Sequence, residues 1–204
     1  PTSIADPVAA ADVLFQAAQS QLQLVMPQNN DDFESFMARG RCLSAWMPEL
    51  KLPIFDDDLL QDVLRDLCHG RRSFSELESA PWLAALQSRL DYTLVQAIER
   101  EAPERITVSS GSRIRLIYET DRPPVLPVRI QEVFGLKQTP RIASGRIAVV
   151  LQLLAPNMRP QQITDDLASF WANTYPEVRK ELKRRYPKHA WPEDPLTALA
   201  VRRG

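Results

Sequence analysis

Glycine, histidine and cysteine are scarce in this 204-residue chain, which has 6, 2 and 2 of them respectively. No glycine precedes a lysine, and this excludes a phosphate-cradling loop of the Walker type. Neither an HExxH nor a GxSxG pattern occurs, so the signatures of zinc peptidases and of serine hydrolases are also missing. The sequence therefore predicts no catalytic residue, no bound cofactor and no metal site within this chain.

The cysteines and the lack of long apolar runs bear on where the protein works. Cys42 and Cys68 are too few and too far apart for a disulfide framework or a zinc site, so we expect reduced thiols in a cytoplasmic protein. Cys68 and His69 make a poor catalytic pair, because adjacent helical side chains point about 100° apart. No apolar run approaches a membrane span and no signal-peptide pattern is present, so no membrane partner is expected.

The first residue, Pro1, is not a methionine, which suggests a piece excised from a longer protein. We expect the missing part of such a protein to carry the chemistry.

Charge is distributed unevenly along the chain. Residues 1–100 carry 8 Lys or Arg against 15 Asp or Glu, a net −7, whereas residues 101–204 carry 17 against 11, a net +6. A phosphate backbone responds to the local field of a surface and not to the total charge of −1. The asymmetry therefore indicates either a nucleic-acid surface in the second half or attraction between opposite faces, within the chain or between chains.

The first half of the chain predicts helices. Apolar residues recur at helical spacing up to Pro27, and a second helix is expected over Asp31 to Trp46. The three acids at 56–58 can cap a third helix, a far commoner role than a metal site, and Ser73 marks a further helix start. A long helix is then expected through WLAALQSRLDYTLVQAIERE to the break at Pro103.

At residue 104 the apolar period changes from helical to alternating. ERITVSSGSRIRLIYE predicts two strands around the SSGS turn, with Arg113 and Arg115 on one face. The prolines of DRPPVLPVRIQEVFGL exclude a central strand, and a short helix is expected at Val128 to Phe134. A hairpin is predicted to turn at Pro156 to Arg159, with its apolar first arm, RIAVVLQLLAP, at the centre of the sheet.

These patterns divide the chain into a helical segment at residues 1–102 and a second domain at residues 103–204. The predicted fold class is α+β, with an N-terminal helical part followed by a small antiparallel sheet or a partly open barrel. Helices at the C-terminal end are expected to flank that sheet.

A strongly basic stretch, VRKELKRRYPKHAWPEDP, lies at residues 178–195. Pro176 suits the first turn of a helix that begins here, because its missing N–H would have no helical partner in that turn. The apolar face of this helix is expected to contain Tyr175, Val178, Leu182 and Tyr186. Its basic residues stack at spacings of four, as Lys180 does with Arg184, and only Glu177 and Glu181 offset them.

Two interpretations of the basic stretch remain open. Stacked like charges repel weakly, and a polyanionic partner would offset that small cost. A plain surface helix tolerates the same charges, because the helix dipole favours cations near the C-terminus. Beyond the helix, Tyr186, His189 and Trp191 could stack on unpaired bases, although the intervening prolines favour an extended strap that packs over the domain. The strap is the preferred role for Trp191.

Three runs of sequence cover about residues 102–195 without a large gap. They read APERITVSSGSRIRLIYE, PPVLPVRIQEVFGLKQTPRIASGRIAVVLQLLAP and RPQQITDDLASFWANTYPEVRKELKRRYPKHAWPEDP. Together they resemble the C-terminal region of the bacterial DEAH-box ATP-dependent helicases known as HrpB. Residues 10–100, with RGRCLSAW and SFSELESAPWLAALQSRLD, resemble the helical segment that precedes that region, through spacing and a few residues.

The resemblance implies a parent protein with two RecA-like motor domains that use ATP and Mg to translocate on or unwind RNA. The Walker and DEAH motifs of the family have no counterpart in this chain, so no catalytic residue carries over. The chain resembles the non-catalytic C-terminal extension, and the domain at residues 103–204 is expected to be of the HrpB type.

The leading hypothesis is a helicase accessory module that docks on its own motor domains and contacts single-stranded or structured RNA. The expected phosphate contacts are Arg179, Lys180, Lys183, Arg184, Arg185 and Lys188, with Arg113, Arg115 and Arg129 as further candidates. Such contacts position a strand and read no sequence. The competing hypothesis is a protein-interaction or structural docking module that makes no nucleic-acid contact. A third possibility, an independent enzyme, has no motif to support it.

Overall fold

Helices make up the first part of the chain. The computed structural model describes residues 7–202, so both outer ends of the predicted segments, residues 1–6 and 203–204, lie outside the described residues. The helices are α1 (Pro7–Ala18), α2 (Leu22–Val25), α3 (Asp31–Trp46), α4 (Asp57–Cys68), α5 (Phe74–Glu78), α6 (Trp82–Ser88) and α7 (Tyr92–Glu101). None of the described helices has the length and apolarity needed to cross a membrane.

Polar side chains cap the helices where the sequence predicted their starts. Asp56 accepts a hydrogen bond from the Leu59 amide at 3.1 Å, at the first turn of α4. Ser73 accepts one from the Glu76 amide at 3.2 Å, at the first turn of α5. Each bond satisfies an amide that has no partner within its own helix. These structural roles account for both start signals.

The predicted long helix through residues 82–101 is wrong, because the chain turns between α6 and α7. Leu90 lies in the turn and is only 8% exposed. Arg89, beside it, donates to an Asp66 carboxylate oxygen at 2.7 Å and to the Asp62 carbonyl at 3.0 Å. At the turn, therefore, one apolar side chain is buried and Arg89 is tied to α4.

The chain separates into a compact unit that ends at Glu99 and a second that begins at Arg100. In the first unit Phe33 packs edge-on against the fully buried Trp82, with 6.0 Å between ring centroids. Arg39, 3% exposed, is paired with Glu99 through both guanidinium nitrogens that end its side chain. The remaining guanidinium nitrogen, Nε, has no hydrogen-bond partner.

Gly40 lies within α3, where the ring of Phe55 leaves no room for a side chain. A Cβ atom on Gly40 would lie 2.4 Å from Cζ of Phe55. Phe55 is itself 3% exposed and packs edge-on against Phe36, with 6.3 Å between centroids, so the ring is not free to move. The glycine is therefore required by packing, despite the low helix propensity of this residue type.

We expect Gly40→Ala to lower the free energy of unfolding by about 1–3 kcal/mol, although alanine is the better helix former by about 1 kcal/mol. The cost arises from displacement of the Phe55 ring. Urea unfolding followed by circular dichroism measures the change. Ser35→Ala, at a half-buried position of the same helix, is the control, and we expect it to be neutral or slightly stabilising. Equal stabilisation by both substitutions would contradict this account of the packing.

The second unit contains seven described strands in three small sheets. They are β1 (Arg105–Thr107), β2 (Arg113–Arg115), β3 (Val125–Arg129), β4 (Arg141–Ile142), β5 (Ile147–Ala148), β6 (Val150–Leu154) and β7 (Pro160–Thr164). The pairs β1–β2 and β4–β5 are antiparallel, and the third sheet has the order β3-β6-β7. Helix α8 (Leu167–Ser169), a π-helical segment at Phe170–Thr174 and α9 (Tyr175–Arg185) follow.

The α+β class is confirmed, and β6 lies at the centre of its sheet as predicted. The predicted hairpin is also present, since β6 and β7 are antiparallel neighbours. One pairing differs from the antiparallel expectation, because β3 and β6 are parallel, with Val125 opposite Val150. Residues 130–149 join these two strands and are long enough for a parallel crossover. None of the described sheets closes into a barrel.

The proline-rich segment forms the edge strand β3, so its prolines are compatible with the sheet. Pro127 lies in β3, whose sheet neighbour is β6 alone among the named strands. The predicted helix at Val128 to Phe134 is shorter than expected, since only Ile130–Val133 forms a 3-10 turn. Val128 is 1% exposed and belongs to the strand. Burial in the sheet therefore overrides the helical pattern at the start of that segment.

Candidate nucleic-acid interface

Helix α9 is held by an aromatic cluster beneath it. Tyr175, at its first turn, packs edge-on against Trp171 at 5.2 Å, and against Phe134 and Phe170 at 6.1 and 6.2 Å between centroids. Leu182, seven residues further on, is fully buried on the same side. Pro176 occupies the first turn, as predicted. The buried side fixes the rotation of the helix, and with it the direction of each basic side chain.

Residues 186–196, here called the strap, pack against α9. Trp191 is 6% exposed, and its indole N–H donates to the Tyr186 carbonyl at 2.9 Å. The Tyr175 hydroxyl donates to the Pro192 carbonyl at 2.9 Å, and the Gly135 amide donates to the Pro195 carbonyl at 2.8 Å. The strap role preferred for Trp191 is therefore confirmed, and this ring is not available for stacking on a base.

Arg179 faces the strap and does not point into solvent. Its Nε donates to the Trp191 carbonyl at 2.9 Å, and its Nη2 donates to Glu193 Oε1 at 3.1 Å. The side chain is only 19% exposed. Arg179 thus differs from the other basic residues of α9, and sequence reasoning missed Glu193 because no helical spacing connects the two positions.

The other basic residues of α9 and the strap fall into two groups. Lys180 pairs with Glu177 at 2.7 Å and Arg185 with Glu181 at 3.6 Å, both at helical spacing. Three exposed cations have no side-chain hydrogen bond or ion pair among residues 7–202; they are Lys183, Arg184 and Lys188. Two of the three lie in the last turn of α9, where the helix dipole also favours positive charge.

The three further candidates on the β part also divide into arginines with partners in the chain and one without. Arg113, on β2, is exposed and has no ion pair within the described part of the chain. Arg115 approaches the Glu104 carboxylate at 3.3 Å and is 29% exposed. Arg129 donates to Met158 Sδ and to the Arg202 carbonyl, both at 3.2 Å. Of these three arginines, Arg113 alone has neither a side-chain hydrogen bond nor an ion pair among residues 7–202.

Two ionisable groups outside the basic stretch, Glu101 and Cys68, have pKa values that their surroundings shift. Glu101 accepts hydrogen bonds from Arg100 and Ser144, each at 2.8 Å, and these bonds lower the pKa of its carboxyl group. Burial raises the pKa of the Cys68 thiol, although Arg71 and Arg65 oppose the shift, so the thiol stays protonated. No group of side chains suited to hold a metal ion occurs among residues 7–202.

We expect Arg179→Lys to lower the free energy of unfolding by about 1 kcal/mol, because a lysine cannot donate to Trp191 and Glu193 at once. Urea unfolding followed by tryptophan fluorescence measures this loss. Arg184→Lys is the matched control, since Arg184 has no partner among the described residues and its replacement should change stability by less than about 0.5 kcal/mol. Equal losses of unfolding free energy in the two variants would mean that the hydrogen bonds of Arg179 to Trp191 and Glu193 do not stabilise the strap.

Burial raises the pKa of the Tyr175 hydroxyl to about 12, with nearby Arg179 opposing the shift. In the unfolded chain this hydroxyl ionises near its ordinary pKa of about 10. The protonated hydroxyl therefore stabilises the folded state fully below about pH 10, and this stabilisation is lost as the pH rises from about 10 to 12. We expect the stability difference between the wild type and Tyr175→Phe to shrink over this range, by up to about 1.4 kcal/mol per pH unit. Urea unfolding at pH values from about 9 to 11.5 tests this, and a constant difference would contradict it.

Comparison with known proteins identifies the family. A model of the ATP-dependent helicase C-terminal family, HrpB_C, matches residues 63–195. The ATP-dependent RNA helicase HrpB of Escherichia coli K12 is 44% identical over 174 residues, which are 83% of this chain and 22% of that protein.

Two solved structures share the fold. A crystal structure of the E. coli DExH-box NTPase HrpB matches with a TM-score of 0.91 and 37% identity, over 100% of this chain and 26% of that chain. A crystal structure of the Escherichia coli DEAH/RHA helicase HrpB matches with a TM-score of 0.76 and 37% identity, over 94% of this chain and 24% of that one. This chain thus spans about a quarter of the length of these relatives. The resemblance found in the sequence is confirmed, and the chain belongs to the HrpB helicase family, as its C-terminal region.

Proposed function

We propose that this chain is a non-catalytic accessory region that contacts RNA phosphates through the exposed cations of α9 and the strap. The observation that carries the proposal is the group of Lys183, Arg184 and Lys188, which are exposed and have no ion-pair partner among the described residues. An RNA phosphate can therefore contact these three side chains without displacing an existing hydrogen bond or ion pair. Such contacts depend on charge and not on base sequence.

The remaining candidates have graded roles in this proposal. Lys180 and Arg185 would exchange exposed carboxylate partners for phosphates at little cost, because exposed pairs contribute only about 0–1 kcal/mol. Arg113 is a free second-tier cation on the β part. Arg115, Arg129 and Arg179 already have partners within the chain, so we assign them structural roles first.

We further propose that the chain docks on the motor domains of its own parent protein. In this proposal those domains use ATP to act on RNA, since one relative is named an ATP-dependent RNA helicase. Mg as the metal that accompanies ATP and the cytoplasm as the location are further parts of the same proposal. The chain spans about a quarter of the relatives, which is consistent with an appended region beside a larger catalytic part. The accessory region would hold the strand near the motor and leave hydrolysis to it.

The first test is fluorescence anisotropy with a labelled single-stranded RNA of about 12 nucleotides across a salt series. We expect micromolar binding that weakens steeply as salt rises. The double variant Lys183→Glu with Arg184→Glu should weaken binding and flatten the log–log salt slope by about 1.4 units, or about 0.7 for each lost phosphate contact.

The matched control is Lys51→Glu with Arg72→Glu, which makes the same change in net charge at two exposed cations without side-chain partners in the described part of the chain. It should leave the slope unchanged. An equal loss in both double variants would make the effect one of total charge. An absence of binding at low salt would favour the alternative, a protein-interaction or structural docking module.

A further inference from the structure

A groove of about 300 Å³ opens in the second unit, between the α8 region and the strap. Its apolar side is formed by Trp171, Ala168 and Ala172, and the strap contributes Pro195 and Leu196. The Trp171 ring is held by Phe170 and Tyr175, at 4.9 and 5.2 Å between centroids, and its N–H donates to the Leu136 carbonyl at 2.8 Å. These ring contacts and this hydrogen bond therefore hold the apolar wall in place in the absence of a ligand.

The rim of the groove has balanced charges. Lys137 lies on it, together with Glu193 and Asp194. Glu193 is paired with Arg179, at 3.1 Å from its Nη2. The rim therefore carries one cation and two carboxylates, one of which is already paired with Arg179. This arrangement gives no net attraction for a phosphate but suits a neutral, polar ligand. The small volume lies at the lower end of the range of about 300–1,000 Å³ for small-molecule pockets.

The groove is linked to the phosphate-contacting residues through Arg179. This residue binds Glu193 on the rim and lies one helical turn before Lys183 on α9. Four residues of helix correspond to a rise of about 6 Å. Arg179 therefore connects the rim of the groove to the turn of α9 that precedes Lys183.

We propose that the groove accepts one unstacked RNA base that bears an exocyclic amino group, while the adjoining phosphates lie on Lys183 and Arg184. This inference rests on the proposed function and adds a base-binding site to it. The exposed side chains of Ala168, Ala172 and Leu196 receive the ring, and the largely buried Trp171 supports them. The rim carboxylates accept from the amino group, and Lys137 donates to a carbonyl or ring nitrogen of the base. Cytosine has this combination of donor and acceptor, whereas uracil has no amino group.

Both rim carboxylates can still accept a hydrogen bond from the amino group of a base. Asp194 accepts from the Leu196 amide at 2.9 Å and from the Thr197 hydroxyl at 3.0 Å, and these bonds lower the pKa of its carboxyl group. Glu193 uses Oε1 for Arg179, and its side chain is 88% exposed. An ionised carboxylate offers about four acceptor positions, so each still has lone pairs to spare.

The direct test uses free nucleosides, which carry no phosphate and so do not report on the cations. The indole N–H signal of Trp171, assigned through Trp171→Phe, is followed by NMR as cytidine or uridine is added at millimolar concentration. We expect cytidine to shift this signal and uridine to shift it much less. Ala172→Leu places a larger side chain in the groove and should abolish the shift. Absence of a cytidine shift in the wild type would overturn the base-binding site.

The second test compares oligocytidine with oligouridine in the anisotropy assay. We expect the wild type to prefer oligocytidine by about tenfold, and Ala172→Leu or Ala168→Leu to remove that preference while oligouridine binding stays unchanged. Ala84→Leu, at an exposed position of α6, is the control and should keep the preference. Thermal unfolding of each variant shows whether it is folded.

The two proposals fail in different ways. If charge reversal at Lys183 and Arg184 weakens both RNAs but filling the groove changes neither, the phosphate contacts stand and the base site is overturned. If cytidine shifts Trp171 but charge reversal has no effect on RNA, the groove binds bases and the phosphate contacts are overturned.

Discussion

The hydrogen bond from the Tyr175 hydroxyl to the Pro192 carbonyl joins the start of α9 to the strap that lies against it. Around this bond, the aromatic cluster holds one side of the helix, and Arg179 ties the strap to the next turn. With that side occupied, Lys183 and Arg184 are left exposed to solvent. The distribution of free charge on the surface is thus a consequence of how the apolar side is buried.

The acidic residues of α9 divide its cations into free and occupied ones. Glu177 and Glu181 each engage one neighbouring cation, and both pairs are exposed. Exposed pairs are weak and are screened by salt, so they reduce repulsion along the helix without fixing its side chains. With repulsion reduced in this way, α9 does not need a polyanion for its stability, and its unpaired cations remain accessible to one.

Local patterns in the sequence predicted the local structure well. The apolar spacing identified the buried side of α9, the cap residues marked the starts of α4 and α5, and the apolar run of β6 placed that strand centrally. Long-range contacts could not be predicted in this way. Three features depend on residues that are distant in the sequence. They are the hydrogen bonds of Arg179 to the strap, the parallel pairing of β3 with β6, and the turn that buries Leu90. The domain boundary after residue 102 and the assigned phosphate contacts stay predictions.

The parallel pairing of β3 with β6 has a consequence for the order of folding. β6 and β7 are joined by a turn at residues 155–159, whereas residues 130–149 separate β3 from β6. Closing the longer connection costs about 1.2 kcal/mol more chain entropy, so we expect the β6–β7 hairpin to form before β3 pairs with it. In that interval one edge of the apolar strand β6 is uncovered. That edge is then the region of the second unit most open to pairing with another chain during synthesis or refolding.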